Sequence, residues 1–157
     1  MPAGAAPDAP TPEKRRAMQL QRTKDTGPEV ALRRALHRRG LRFRLHRQVV
    51  DGLRRTVDIV FPTERVAVDV RGCFWHGCEE HCRRGTRNVS WWESKLAANV
   101  ARDRDTEYRL RAAGWEVLVV WEHEAPEVAA ARVELSVRER REIRPEAAGG
   151  GTPQRRE

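Results

Sequence analysis

The chain has 157 residues and a formal charge of +8, from 31 basic against 23 acidic side chains, nearly all of the basic ones arginine. That is the length of one domain able to bury its own core, and the charge favours a polyanionic partner because guanidinium groups suit bidentate phosphate and guanine contacts; a GC-rich genome, which enriches arginine and alanine in any protein, is the bland alternative. The sequence has no apolar run long enough for a bilayer and no signal-peptide core near its start, which argues against a membrane or secreted protein and for a cytoplasmic one. In that reducing compartment, three cysteines at 73, 78 and 82 read as metal ligands before disulfides.

In chain order, residues 1–12 are rich in proline and alanine and 145–157 in glycine and polar groups, so both are expected to be disordered tails around one folded domain, 13–144. Residues 13–22 read as a basic helix whose only large apolar groups are Met18 and Leu20. A better-marked helix follows: Asp25 or Thr26 caps it, Pro28 sits in its first turn, Gly40 ends it, and Val30, Leu32 and Leu36 form its apolar side. Leu41 to His46 alternates as a strand does, and Asp51-Gly52 marks a turn. Thr56 to Phe61 and Arg65 to Val70 are strands around the break Pro62-Thr63-Glu64. After a polar loop, Ser90 is expected to cap a helix from Trp91 to Ala113 with Leu96, Val100 and Leu110 inward. Trp115 to Trp121 is apolar enough for a buried strand, and Glu127 to Glu142 makes a last helix, apolar through Val128, Val133, Leu135 and Val137. The order implies an α/β fold, a mixed β-sheet flanked by helices.

The central hairpin carries a chemical inference. If it turns between Thr63 and Glu64, paired residues have numbers summing to 127: Phe61 faces Val66, Ile59 faces Val68 and Val57 faces Val70 on one side, and Asp58 faces Asp69 on the other. Two carboxylates opposed inside apolar strands repel unless a cation lies between them. The alternatives are that either aspartate ends its strand in solvent or that the register is shifted.

Val66 to Cys82, VAVDVRGCFWHGCEEHC, runs from the second of these strands into a tight turn. Cys73, Cys78, His81 and Cys82 supply three or four thiolate and imidazole donors, a usual structural zinc set, and His123 beyond the last strand is a distant ligand that would staple the loop to the sheet. Buried free thiols with a surface histidine are the alternative. His76 is either a further ligand or, near Asp58 and Asp69, a general acid or base. Phe74 and Trp75 either pack over the metal or stack on bases.

GCFWHGC with the following Glu80-His81, an upstream TKDTGPE, a central Trp91-Trp92-Glu93 with Lys95, and a downstream GWEVLVVWE resemble the very-short-patch-repair (Vsr) DNA mismatch endonucleases of bacteria across residues 13 to 125. The resemblance implies a restriction-endonuclease-like core with a structural zinc. It implies a magnesium-dependent nick on the 5′ side of the thymine in a T:G mismatch, the lesion left by deamination of 5-methylcytosine. Carried onto this chain, it makes Asp58 the central magnesium ligand and the Val70 carbonyl a second, His76 the catalytic histidine, and Glu29 the helix carboxylate that reaches the site. The zinc set becomes Cys73, Cys78, His123 and one of His81 or Cys82. Phe74, Trp75 and Trp92 become aromatics that wedge into the duplex, with Met18 entering from the minor groove. A monomer suffices for one nick, and mismatch-repair proteins and a repair polymerase are the implied partners.

This chain departs from the pattern at Asp69, where many members have phenylalanine, and at Arg71, where they have histidine or aspartate. Asp69-Val70-Arg71 is nearer the acid-x-lysine element of the wider nuclease superfamily, so Asp69 is expected to share the metal and Arg71 to touch phosphate. Two other readings stand beside this one: a restriction or homing nuclease that cuts intact sites, and a non-catalytic zinc module that binds DNA, in which Asp58, Asp69 and Glu29 would only repel phosphate.

Overall fold

The computed structural model describes residues 12–13, 24–81 and 89–143. Met18 with its basic stretch beyond Glu13, Cys82, and all of the expected tails except Pro12 lie outside the described residues. Helix α1, Gly27–Arg38, starts after Thr26 in extended backbone and carries Pro28 in its first turn. Its entry is closed by Glu29: the Thr26 hydroxyl donates to Oε1 and the Asp25 N–H to Oε2, each at 3.0 Å. That variant of the capping box keeps a carboxylate buried at the helix start.

Four strands follow in the spatial order of their sequence, β1 Arg44–Arg47, β2 Val57–Phe61, β3 Val66–Arg71 and β4 Glu116–Trp121. The first three pair antiparallel, whereas β4 runs parallel to β3. The crossover from β3 to β4 contains a one-turn helix α2, Cys73–His76, and the long helix α3, Val89–Ala112. Helix α4, Pro126–Ile143, closes the fold.

The β2–β3 register is the expected one at Phe61–Val66, Val60–Ala67 and Ile59–Val68. It does not continue to Val57 and Val70: Val57 packs with Val60, Ala67, Leu110 and Val117, while Val70 packs against the opposite layer. Asp58 lies at this break, beside His46 of β1, whose φ of +48° interrupts the pleat. The strands therefore splay where the aspartates stand.

Helices α1 and α4 cover one face of the sheet through Leu32, Leu36, Ala129, Ala130, Val133 and Val137, packed on Ile59, Phe61, Val66 and Val68. Helix α3 covers the other through Leu110. The buried strip of α4 is Ala129, Ala130, Val133 and Val137, which corrects the expectation for Val128 and Leu135; both are exposed because they fall off that i, i+3/i+4 line. Ser90 likewise stands inside α3 and not at its cap, its carbonyl accepting the Ser94 hydroxyl. Many arginines are spent on internal pairs: Arg38 of α1 and Arg39 just after it hold Glu127 and Glu134 of α4, and Arg141 holds Glu64 of the hairpin turn. Among the described residues no helix is long and apolar enough to cross a membrane.

Candidate active site

The splayed end of β2 and β3 gathers the carboxylates. Asp58 Oδ2 accepts the Val70 N–H at 2.8 Å, so a side chain takes the ladder bond that the broken register leaves open. Burial pushes the Asp58 carboxyl up to about 7; the charges of Asp69 and Glu29 add to the rise, and the Val70 N–H opposes it. Asp58, Asp69 and Glu29 thus form one acidic cluster in which a proton is partly retained near neutral pH.

Sequence reasoning missed His46, which borders this cluster. Its Nδ1 is 3.9 Å from Asp58 Oδ1, and its Nε2 is 3.1 Å from Arg33 Nη2. Nε2 also faces Asp25 at 3.6 Å and Glu29 at 4.0 Å, so the ring stands among three carboxylates and one guanidinium. Arg33 also holds Asp25 at 2.5 Å and Glu29 at 2.9 Å, and its guanidinium keeps the Asp25 carboxyl below the usual range. The alternation of LRFRLH marked His46 only as a strand residue.

His76, at the end of α2, meets Asp103 of α3 with Nδ1 and Oδ2 2.7 Å apart. It does not pair with Asp58 or Asp69, the neighbours the sequence suggested. A carboxylate accepts, so Nδ1 carries the proton and Nε2 is left to take or give one. Arg71 ends β3 with its guanidinium buried between Asp69, 2.8 Å from Nε, and Glu107 of α3, 2.8 Å from Nη2. Asp103 and Glu107 were missed as well, because α3 carries so many charges that they read as solvated surface.

On the outer side of α2, donor atoms of Cys73, Cys78, His81 and His123 all lie within 4.8 Å of one another. Cys73 Sγ is 3.1 Å from His123 Nδ1, and the His81 and His123 rings are 4.3 Å apart. Burial and the adjacent Cys78 thiol push Cys73 up to about 11. Two thiols and two imidazoles at this spacing form a donor set that could hold a metal; Cys82, the alternative to His81, lies outside the described residues. Gly77 permits the turn between the cysteines: its φ is +68°, and a Cβ there would stand 3.2 Å from Val100 Cγ2.

The inner side of the same turn presents Phe74, Trp75 and Trp92 as one aromatic cluster. Phe74 is edge-on to both tryptophans, with centroids 5.0 and 5.3 Å away. Together with Leu96 and Val100 they line an open groove of about 500 Å³. The Asn99 amide fixes the turn to α3 by donating to the Trp75 carbonyl at 3.0 Å. Phe74 remains 39% exposed, so packing within the cluster leaves it a free face.

The family described as DNA mismatch endonuclease Vsr matches residues 7–84 of the chain. Among similar proteins, the type II nicking enzyme V.XorIIP of Xanthomonas oryzae pv. oryzae is 46% identical over 132 residues, 82% of this chain and 93% of its own length. The type II nicking enzyme V.NaeI of Lentzea aerocolonigenes is 47% identical over 120 residues, 75% of this chain and 72% of its own. The DNA mismatch endonuclease Vsr of Escherichia coli is 36% identical over 103 residues, 64% of this chain and 63% of its own. By this family match and these similarities, the chain belongs to the Vsr family of DNA endonucleases.

Proposed function

We propose that this endonuclease nicks one strand of duplex DNA on the 5′ side of the thymine in a T:G mismatch, by magnesium-dependent hydrolysis of a phosphodiester, on a core of restriction-endonuclease type. The observation that carries the reading is the geometry of the Asp58 cluster: a largely buried carboxylate, bonded to the Val70 N–H and set beside Asp69 and Glu29, gathers negative charge that a hard divalent cation would neutralise. Asp58, the Val70 carbonyl and Asp69 would hold magnesium. When bound, it supplies Lewis-acid polarisation of the scissile phosphate and charge stabilisation at the leaving oxygen. Zinc in the Cys73, Cys78, His81 and His123 set would be structural, with no open position for chemistry.

The protein's own groups divide the remaining work. His76 Nε2 takes a proton from the attacking water as its oxygen bonds phosphorus and the bond from phosphorus to the leaving sugar oxygen breaks, and that oxygen ends protonated, while Asp103 holds Nδ1–H and stabilises the imidazolium. Glu29, buried at the start of α1, sets the charge against which Asp58 and its cation balance. Phe74, Trp75 and Trp92 offer flat faces to bases, and unstacking is least costly at a mismatch, which is how such a wedge discriminates.

End-labelled duplexes carrying T:G, C:G or T:A at one position, in several flanking contexts, test the reading with and without magnesium. Cleavage of only the thymine strand of T:G supports it, and equal cleavage of matched DNA would move the protein to a restriction-type specificity. Asp103→Asn is expected to lower the single-turnover rate by about 10²–10⁴-fold, because an amide can donate to His76 Nδ1 and favour the wrong tautomer. A rate within threefold of wild type, in protein whose melting temperature is unchanged, would remove His76 from the proton path.

A further inference from the structure

Between the acidic cluster and the histidine pair lies an ion pair that neither half requires by itself. Arg71 Nε donates to Asp69 Oδ2 and Nη2 to Glu107 Oε1, both at 2.8 Å, and the residue is 7% exposed. Burial works against its charge, but Asp69, Glu107 and Asp103 together outweigh it and keep the guanidinium protonated. Glu107 follows Asp103 by one turn of α3 and so shares its face. Its other oxygen accepts Arg111 Nη1 at 2.9 Å. Hydrogen bonds join Asp69, Arg71 and Glu107, another joins Asp103 to His76, and the two sets meet on one face of α3, where the charge of Asp103 also acts on Arg71.

A phosphate seeking this guanidinium would first have to displace two carboxylates and would approach a third. We propose that Arg71 and Glu107 are a positioning pair: they set the spacing between β3 and α3, and so place His76–Asp103 against the Asp58 cluster. The inference rests on the nicking mechanism above, and it replaces the phosphate contact that the sequence suggested for Arg71. A guanidinium suits the task because its planar fork fixes two acceptors in direction as well as distance, which an ammonium cannot do.

The test uses the full-length, zinc-loaded protein with Glu107→Gln, Arg71→Met and Arg71→Lys. Four quantities are read: the single-turnover nicking rate on the T:G duplex, the duplex Kd, the slope of log Kd against log salt, and the NMR resonance of the His76 Nδ1 proton. Zinc content and melting temperature verify folding. Glu107→Gln and Arg71→Met are expected to cut the rate about 10–100-fold, the cost of a small misplacement of reacting groups, with Kd within twofold and the salt slope unchanged. Both should shift or broaden the His76 proton, and Arg71→Lys should recover less than half of the lost rate on a logarithmic scale. The proposal is overturned if Glu107→Gln leaves rate and proton untouched. It is equally overturned if Arg71→Met weakens binding and lowers the salt slope by about one, the mark of a phosphate contact. A wild type that nicks no duplex would refute the nicking reading alone, since the His76 proton still reports whether the pair positions it.

Discussion

Asp58→Asn is expected to abolish nicking and, with magnesium absent, to make the protein more stable at pH 8. Both effects come from the same crowding. The folded Asp58 carboxyl holds its proton to about pH 7, because it is buried and faces Asp69 and Glu29, whereas the unfolded chain releases it near 3.8. Between those values the folded state binds more protons than the unfolded state, so this group's contribution is full below about pH 4 and is lost as pH rises through 7. Its size is on the order of 4 kcal/mol, since a tenfold difference in proton affinity between the two states is worth about 1.4 kcal/mol. Asparagine keeps an oxygen for the Val70 N–H and carries no charge, so the variant should lose the pH dependence and exceed wild type at pH 8. Catalysis asks for the opposite. Only the ionised carboxylate is a ligand, so wild-type kcat/KM under limiting magnesium should rise about tenfold per pH unit up to 7 and then level. Denaturant melts at pH 5 and 8 and a pH–rate profile check both arms. Residual magnesium-dependent nicking by the variant, or lower stability than wild type at pH 8, would end the assignment of Asp58.

How far the sequence reached follows from how local each determinant is. The start of α1 was legible because Thr26, Pro28 and Glu29 act within one turn. The hairpin register was legible from Phe61 to Ile59 because the break at Pro62-Thr63-Glu64 centres it. It failed at Val57 for a tertiary reason: His46 on the neighbouring strand leaves the pleat, and Asp58 takes the Val70 N–H with its side chain. No pattern within β2 or β3 encodes that. The sulfur and nitrogen donors were legible as a group, since dense Cys/His spacing is rarely accidental, and the fold brings His123 to them from 45 residues beyond Cys78. Helix α4 misled because two of its buried positions are alanines, Ala129 and Ala130, while the larger Val128 and Leu135 face water. Asp103 and Glu107 were hidden on a helix with charge on nearly every face. Only the approach of α2 and β3 distinguishes them from their solvated neighbours.

Cys78→Ala is expected to remove bound metal and to lower the melting temperature by roughly 8–16 °C, which corresponds to a loss above about 4 kcal/mol in a domain of this size. Helix α2 has only four residues, too few to persist alone. Of its own side chains only Cys73 is buried, and Cys78 is the buried anchor beyond it. Without zinc, deprotonation of Cys73 is opposed by burial and by the neighbouring Cys78, and the turn is tied to the segment after β4 by the Cys73 N–H bond to Glu122 and the Cys73–His123 contact. Metal uptake must release the thiol protons, so zinc retention should weaken as pH falls. Nicking should disappear with the zinc although no group in the proton path has been changed, because His76, Phe74 and Trp75 lie between the two cysteines. Glu80→Ala is the control: Glu80 is exposed and approaches His81 and His123 only at 3.9 and 3.7 Å, so zinc and melting temperature should stay at wild-type values. Elemental analysis with calorimetry decides the matter, and a wild type that is stable with no zinc would refute the structural site. Asp58→Asn should retain full zinc while losing activity, and Cys78→Ala should lose both. That asymmetry is what separates an ion that builds the site from one that works in it.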